Sequence, residues 1–594
     1  MRPEGDPGYG AGDGSSYADA WNGTKKIIFG PDGVEAGDNL YICGVHLLKT
    51  TKPYTSEGLV TVSESGFSDE YPITIRMDCP GDEGLFWGYF LDETDLWTHV
   101  ANGVYRTNSL NRNFFSGGLM QDIDGRSGTL LARVRADTCS ATEVEEAWKD
   151  TPGVWCWTGS TAYLKTTDGL DPTGRIYESR WGYWIDMGWS DHIKFYKCNF
   201  YGSKPYNKYP YYVDKELETV SDELPSTDIT FDSTKIRYLP GKMISPLLLN
   251  DRWTVRNCEL SEGANAVYSI AFTVKYAHLS PNKLTVENNY IHDIGDTGDG
   301  NFYDGDSHAV GIQGGSDHLI QNNVIEKTGS SIVLFSNPGQ IMRDNIIRNN
   351  VLIDIYAQAS YGGVAIALSG FTEAPLGERT GNKFYNNIVL GAQGSGMTSN
   401  APDLVQIYNN LFYNIDKAGF AAFSKSGSKY LGRNNMFVDV EDYYLSINYE
   451  TIPGEPFLEW DHNLYFNDTP KDTYAFYYLP TGRKYLTSWI EDPPYDDPYL
   501  ETPEDPSTEI LDEPYFHISE QMVRLAENSP AIDAGFDMQR ESDVYGNPIY
   551  GRPDIGPVEY QPGHVMGEPW VLKPRCTPTE NSGLRQMPFK PILL

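Results

Sequence analysis

The sequence predicts an all-β chain wound into a single parallel β-helix with inserted loops. Three observations carry this. An Asn-Asn-apolar unit recurs through the middle of the chain. Each unit follows a short run of alternating apolar residues, the mark of a half-buried strand. No helical stretch separates the runs, and the repeat itself is the signature of a stacked array.

The units are LTVENNYI (Asn288, Asn289), HLIQNNVI (Asn322, Asn323), NIIRNNVL (Asn349, Asn350), KFYNNIVL (Asn386, Asn387), VQIYNNLF (Asn409, Asn410) and YLGRNNMF (Asn434, Asn435). Degenerate copies flank them, WTVRNCEL at Asn257 and LEWDHNLYF at His462. From position 257 the steps are 31, 34, 27, 37, 23, 25 and 28 residues. FYKCNFY, at Cys198 and Asn199, lies 59 residues earlier, close to two further steps. Each repeat also holds a small-residue strand: HAVGIQGG, SSIVLFS, GGVAIALSG or AGFAAFSK. Three short strands per repeat describe one coil, and coils stack at roughly 4.8 Å. Inward residues then form aliphatic columns, expected as Val310/Ile312, Ile332/Leu334 and Val364/Ile366.

The asparagines have a physical reason. A sharp bend needs residues that tolerate the left-handed region, and Asn is the main choice after Gly. Stacked amides can also bond from coil to coil in a ladder. Cys198 and Cys258 occupy equivalent positions about two coils apart, roughly 10 Å, beyond disulfide reach. They are expected not to pair. Seven cysteines without a CxxC motif are too few for a disulfide framework, and the odd count leaves at least one unpaired within the chain.

Composition narrows the function classes. The 594 residues carry 82 acidic and 46 basic side chains, a net charge of −36. That disfavours nucleic acid, which is held by clustered Lys and Arg. No apolar run approaches the roughly 20 residues of a membrane span. Aromatic content of 13% argues against a disordered acidic chain. The N-terminus MRPEGDPGYGAGDGSSYADAW has no apolar signal core. The protein is expected to act outside the cell or on a virus particle, with an export signal removed or another route used.

Three further stretches agree with the repeat. GDGSSYADAW (12–21), PGVWCWTGSTAYLKTTDGLDP (152–172) and SPAIDAG (529–535) with DVYGNPIYGRPDIGPVEY (543–560) resemble the opening, pre-helix and closing motifs of right-handed parallel β-helix proteins typified by pectate lyases. The resemblance covers about residues 10–560 and implies a right-handed, single-stranded helix. It implies carbohydrate chemistry only broadly, because that superfamily holds lyases, glycoside hydrolases, phage tailspikes and adhesins. The expected organisation is an N-terminal cap and first coils with β insertions (1–180), the main helix (181–489), an acidic Pro-rich segment with the closing coil (490–560), and a basic tail (561–594). The tail suits docking on a partner or a homotrimer, or wrapping back on its own chain.

Chemistry is expected on the longest repeats, whose extra length makes loops. HDIGDTGDGNFYDGDSH (292–308) holds five carboxylates and two histidines. Asp296, Asp299 and Asp304 offer hard oxygen ligands for Ca²⁺. Asp304, Asp306 and His308 offer acid–base groups, although counting by twos from Ile312 also points His308 inward. Glu373, Glu378 and Arg379 lie on the second long loop, so carboxylates from the two loops could flank a sugar. A lyase would need a base and cations, for which Lys275, Lys327, Arg343 and Arg348 are available. Tyr303, Trp184, Gln313 and Arg379 are the expected substrate-binding residues, the aromatics as faces for sugar rings. The expected function is binding and cleavage of a surface polysaccharide by lyase or hydrolase chemistry. The competing expectation is a non-catalytic virion appendage or adhesin. No organic cofactor is implied.

Overall fold

The computed structural model describes residues 1–561 except 7–8, 48–59, 92–96, 108–118, 125, 134–138, 159–160, 180–182, 188–189, 203, 208–226, 247–250, 270–279, 296–306, 337–339, 358–361, 371–379, 401–403, 424–428, 448–457, 467–475, 479–481, 485–515, 520–521 and 526–528. One parallel sheet of 12 strands runs from Asn39–Tyr41 to Leu458–Asp461 and counts the coils. Each coil then turns into a second strand, bends again, and in the middle and later coils enters a third. Thr285–Glu287, Tyr290–Ile294 and His308–Gln313 make one such coil. Pairing runs coil to coil in parallel register, for example Tyr290↔Val324↔Val351.

The two asparagines of each pair do different work. The first adopts the left-handed region: φ is 55° at Asn288 and Asn322, 54° at Asn349, Asn386 and Asn409, and 56° at Asn434. The second is buried and forms a ladder. Asn350 donates its side-chain amide to Asn387 Oδ1 at 3.0 Å and to the Ile320 carbonyl at 3.0 Å. Its own Oδ1 accepts from the Asn323 backbone and side-chain amides at 3.1 and 2.9 Å. The same bonds repeat from Asn289 to Asn463. Cys198, Thr234 and Cys258 extend this column toward the N-terminus. Both cysteines are buried and neither is in a disulfide, as their spacing required. Cys43–Cys79 and Cys139–Cys156 form disulfides instead.

The interior columns follow the register. Ile75, Phe195, Phe231 and Val255 stack in the first sheet, the two Phe rings 4.6 Å apart. Val310 and Ile312 sit under Ile332 and Leu334, which sit under Ile366 and Leu368. The expected third pair, Val364/Ile366, is therefore shifted by two residues. Period-two alternation fixes which face a residue takes, not its register, and Val364 precedes the strand.

Between the second and third strands of the large sheet, residues 89–179 leave the coil and return. Much of this stretch builds an eight-stranded sheet with one short helix, Ala141–Ala147. At the other end, residues 529–560 close the molecule by grasping the first-position asparagines. Asn434 exchanges two bonds with Phe536, each 2.7 Å, and Asn386 accepts from Arg540 at 2.8 Å.

Replacing Asn350 by Ala should lower unfolding stability by about 3 kcal/mol, since buried backbone and amide partners lose their bonds. Asn322→Gly, at a corner that needs only positive φ, should change it by less than about 1 kcal/mol. Denaturant unfolding monitored by far-UV circular dichroism checks both, and equal losses would contradict the division of labour.

Candidate functional site

Most of the expected site residues lie outside the described residues: Lys275, Asp296, Asp299, Tyr303, Asp304, Asp306, Glu373, Glu378 and Arg379. Trp184, His308 and Gln313 are described, as are the candidate cations Lys327, Arg343 and Arg348. Trp184 is buried inside the helix, its ring stacked 4.2 Å from Phe86. The wide first coils need large side chains to fill them, so this ring offers no face to a sugar. Gln313 is buried at the end of its strand.

His308 does not point into the interior. Ala309 joins the interior core, whereas the His308 ring lies against Tyr268, 5.7 Å between centroids and outside that core. The alternation breaks at the corner. Gly311 makes room, because a Cβ there would meet the Tyr268 ring at 2.6 Å. Burial, with nearby Lys242 adding to it, pushes the His308 pKa down to about 3. It is a neutral packed histidine rather than the expected acid–base group.

The described residues concentrate their chemistry elsewhere, on the outer face of the second sheet. The first coils of this face are covered: Met120 and Ile123 of the inserted unit pack with Leu85, Trp87 and Tyr201. The last coils are covered too, by Val523, Leu525, Tyr545, Ile555 and Val558 over Val351, Ile388, Leu411 and Met436. The coils between them carry polar residues at the same outward positions.

Register sorts these residues into three columns. Lys235, Glu259 and Tyr290 are neighbours in one. Arg237, Ser261, His292 and Glu326 form the next. The third follows the corner residues, all at positive φ: Tyr238, Glu262, Asp293, Lys327 and Asp354. A corner turns its side chain outward beside the sheet face, so the three columns stand side by side, lining the gap that the two covers leave on this face.

The groove is densely connected. Arg237 donates to Glu259 Oε1, and Lys235 Nζ lies 3.3 Å from Oε2. His292 Nδ1 sits 2.7 Å from Asp293 Oδ2, and Nε2 sits 3.8 Å from Glu259. Tyr290 stacks on His292 at 4.3 Å and donates to Glu326 at 2.9 Å. Lys327 stands 3.5 Å from Glu326. Burial holds the Glu262 carboxyl above the usual carboxylate range, opposed by Arg237 and His292 and reinforced by Asp293. Four buried atoms on this face have no hydrogen-bond partner: Arg237 Nε, Ser261 Oγ, Glu262 Oε2 and His292 Nε2. Each such atom costs about 1–3 kcal/mol, which the hydroxyls of a bound ligand would recover.

Sequence reasoning had His292 and Asp293 as the start of the acidic loop and Lys327 as one of four candidate cations. Glu259, Glu262, Tyr290 and Glu326 went unnoticed. Their signal was a charged or polar residue at outward strand positions just after the ladder corner. A second cluster, Asp69, His192 and Asp228, has ligand atoms within 4.8 Å of one another. Arg252 takes both Asp228 oxygens, each at 2.6 Å, so this is an ion-pair network and not a metal centre.

Comparison with known proteins agrees with the topology. Residues 247–440 match the family model described as right handed beta helix region. No curated protein matches the chain. Among solved structures the chain is similar to the complex of XylC with xylose, at 12% identity over 88% of this chain and 93% of that one, with a TM-score of 0.47. It is also similar to pectate lyase Pel9A, at 13% identity over 94% of this chain and 97% of that one, with a TM-score of 0.41. No helix among the described residues is long and apolar enough to cross a membrane. With twelve strands of the first sheet stacked in parallel register and the matched central region, the chain folds as a right-handed parallel β-helix.

Proposed function

We propose that the chain is a glycoside hydrolase that cleaves an extracellular polysaccharide in the groove on the second sheet. One observation carries the reading. Glu262, whose carboxyl burial holds above the usual carboxylate range, neighbours a second carboxyl, Asp293, one coil away. The register places the two at adjacent corner positions, and a pair of neighbouring carboxyls is what glycoside cleavage uses.

Glu262 gives its proton to the glycosidic oxygen as that bond breaks. Asp293 stabilises the positive charge at the anomeric carbon, as nucleophile or as base toward water. Water supplies the hydroxyl that completes the new end, and its remaining proton restores the acid. His292 orients the Asp293 carboxylate through Nδ1. Arg237 and Lys235 hold Glu259 in place behind the pair.

The groove's charge favours this over a lyase. It holds five carboxyls, Glu259, Glu262, Asp293, Glu326 and Asp354, against three cations, Lys235, Arg237 and Lys327. Two of those cations are committed to Glu259 and the third to Glu326. Elimination from a uronate needs free positive charge at the sugar carboxylate. The two disulfides support an oxidising compartment, where extracellular polysaccharides are met.

Incubation with a polysaccharide panel should release reducing ends without the ultraviolet absorbance of unsaturated products. Absorbing products would identify a lyase and overturn the hydrolase reading. Glu262→Gln should lower kcat by about 10²-fold or more, the usual worth of a general acid. Full activity in that variant would remove Glu262 from the site. The pH profile has a definite sign. Activity should fall at high pH as Glu262 loses its proton, at a pH above the ordinary carboxylate range. A pH–rate profile of kcat/KM checks this limb, and the limb should vanish in Glu262→Gln.

A further inference from the structure

At the N-terminal end of the stack, a cavity of about 490 Å³ opens beside Asn39–Tyr41, the end strand of the first sheet. Its size is that of ordinary small-molecule sites, roughly 300–1,000 Å³. It lies four coils before that of Glu262, roughly 19 Å along the axis. No residue of the groove lines it. Trp21 closes it on the inside, and Tyr17 and Tyr41 stand at its rim.

Three features of the lining point to a ligand. Trp21 is only 6% exposed, yet its indole N–H has no hydrogen-bond partner. A buried indole N–H ordinarily finds one. Gly14, at φ 82°, lies flat on this indole, where a Cβ would meet the ring at 2.4 Å. The second feature is the strand edge. Thr74 N–H donates to the Asp38 carbonyl at 2.9 Å and Ile42 N–H to the Arg76 carbonyl at 2.7 Å. Alternation then turns the N–H and C=O of Asn39 to the outer edge, where no strand pairs with them among the described residues. The third feature is the pair of tyrosines, 51% and 41% exposed. Each ring is backed by a guanidinium, Tyr17 by Arg2 at 4.7 Å and Tyr41 by Arg76 at 5.2 Å. Tyr17 also donates to Asp82 at 2.9 Å. The rings are held in place while their surfaces stay open.

Aromatic faces beside a backbone donor and acceptor suit a sugar ring, which offers C–H faces to the one and hydroxyls to the other. A peptide strand does not suit the edge. Met1 donates to the Tyr41 carbonyl at 2.7 Å and accepts from Cys43 N–H at 2.9 Å, so the edge is already taken beyond Asn39. Asp38 is the one charged side chain among the described lining residues, which disfavours an anionic sugar.

We propose that this cavity is a second carbohydrate site, which holds a neutral sugar residue of the polysaccharide without cleaving it. The choice of ligand rests on the chain acting on a polysaccharide, but the site does not need the groove to be catalytic. A polymer held here is kept at high effective concentration beside the groove.

Hexasaccharides of glucose, xylose, mannose and galactose are titrated calorimetrically in the Glu262→Gln background, which keeps turnover from obscuring binding. At least one should bind. Tyr17→Ala with Tyr41→Ala should weaken it by about tenfold or more, the worth of two ring contacts. Trp21→Phe, which keeps a ring and removes the donor, should weaken it by about threefold or more. Ser15→Trp, which fills the cavity from its rim, should abolish the same binding with the unfolding midpoint unchanged. With Glu262 intact, the tyrosine pair variant should keep kcat within about twofold. Binding of none of the four, or affinity unchanged in both the tyrosine pair variant and Ser15→Trp, would overturn the proposal. Tyrosine-dependent binding without cleavage would uphold it and remove the hydrolase reading. Cleavage without tyrosine-dependent binding would overturn this site alone.

Discussion

The ladder of buried asparagines is the constraint from which the rest of the structure follows. Every coil must bend its backbone inside a stack that excludes water, and each bend exposes amides and carbonyls that need partners. An Asn side chain both donates and accepts, so one residue type repeated at one position satisfies a bend and links it to the next. Asn350 does this four ways, with Asn323, Asn387 and the Ile320 carbonyl. Where the column changes to Thr234, Cys258 and Cys198, aromatic rings such as Phe195, Phe231 and Trp253 fill the interior beside it.

A stack fixed in this way presents flat outer faces, and what covers them decides where chemistry can sit. The second sheet is apolar outside at both ends because the inserted unit and the closing segment lie on it. In the coils between, the same outward positions hold Arg237, Glu259, His292 and Glu326. Being recessed between two covers, their charges are partly desolvated, which raises Glu262 and strengthens each contact. The same residues on an open sheet face would be ordinary solvated charges.

The fold was legible in the sequence because its signals are local and repeated. The Asn pairs gave the corners, the ladder and the spacing that keeps Cys198 from Cys258. Register was less legible: Val364 and Ile366 share an alternation with the column beneath them, yet Ile366 and Leu368 occupy it. The groove was hidden for two physical reasons. Part of it lies on a coil where the Asn-Asn signal is lost, at Ser233–Thr234, so the strand position of Arg237 could not be aligned. The burial of the groove residues also depends on two distant segments, 89–179 and 523–560, whose packing no local pattern announces. Trp184 erred the other way, an aromatic in a polar-looking run that the wide first coils take into the core.

The most direct measurement is a crystal structure of the Glu262→Gln protein soaked with an oligosaccharide of whichever polysaccharide the wild-type protein cleaves. The account predicts a sugar ring on the second sheet, between the two covers. Its glycosidic oxygen should lie within hydrogen-bond reach of residue 262, with Asp293 beneath the anomeric carbon. A ligand seated on another face, or one whose glycosidic bond lies away from both positions, would contradict it.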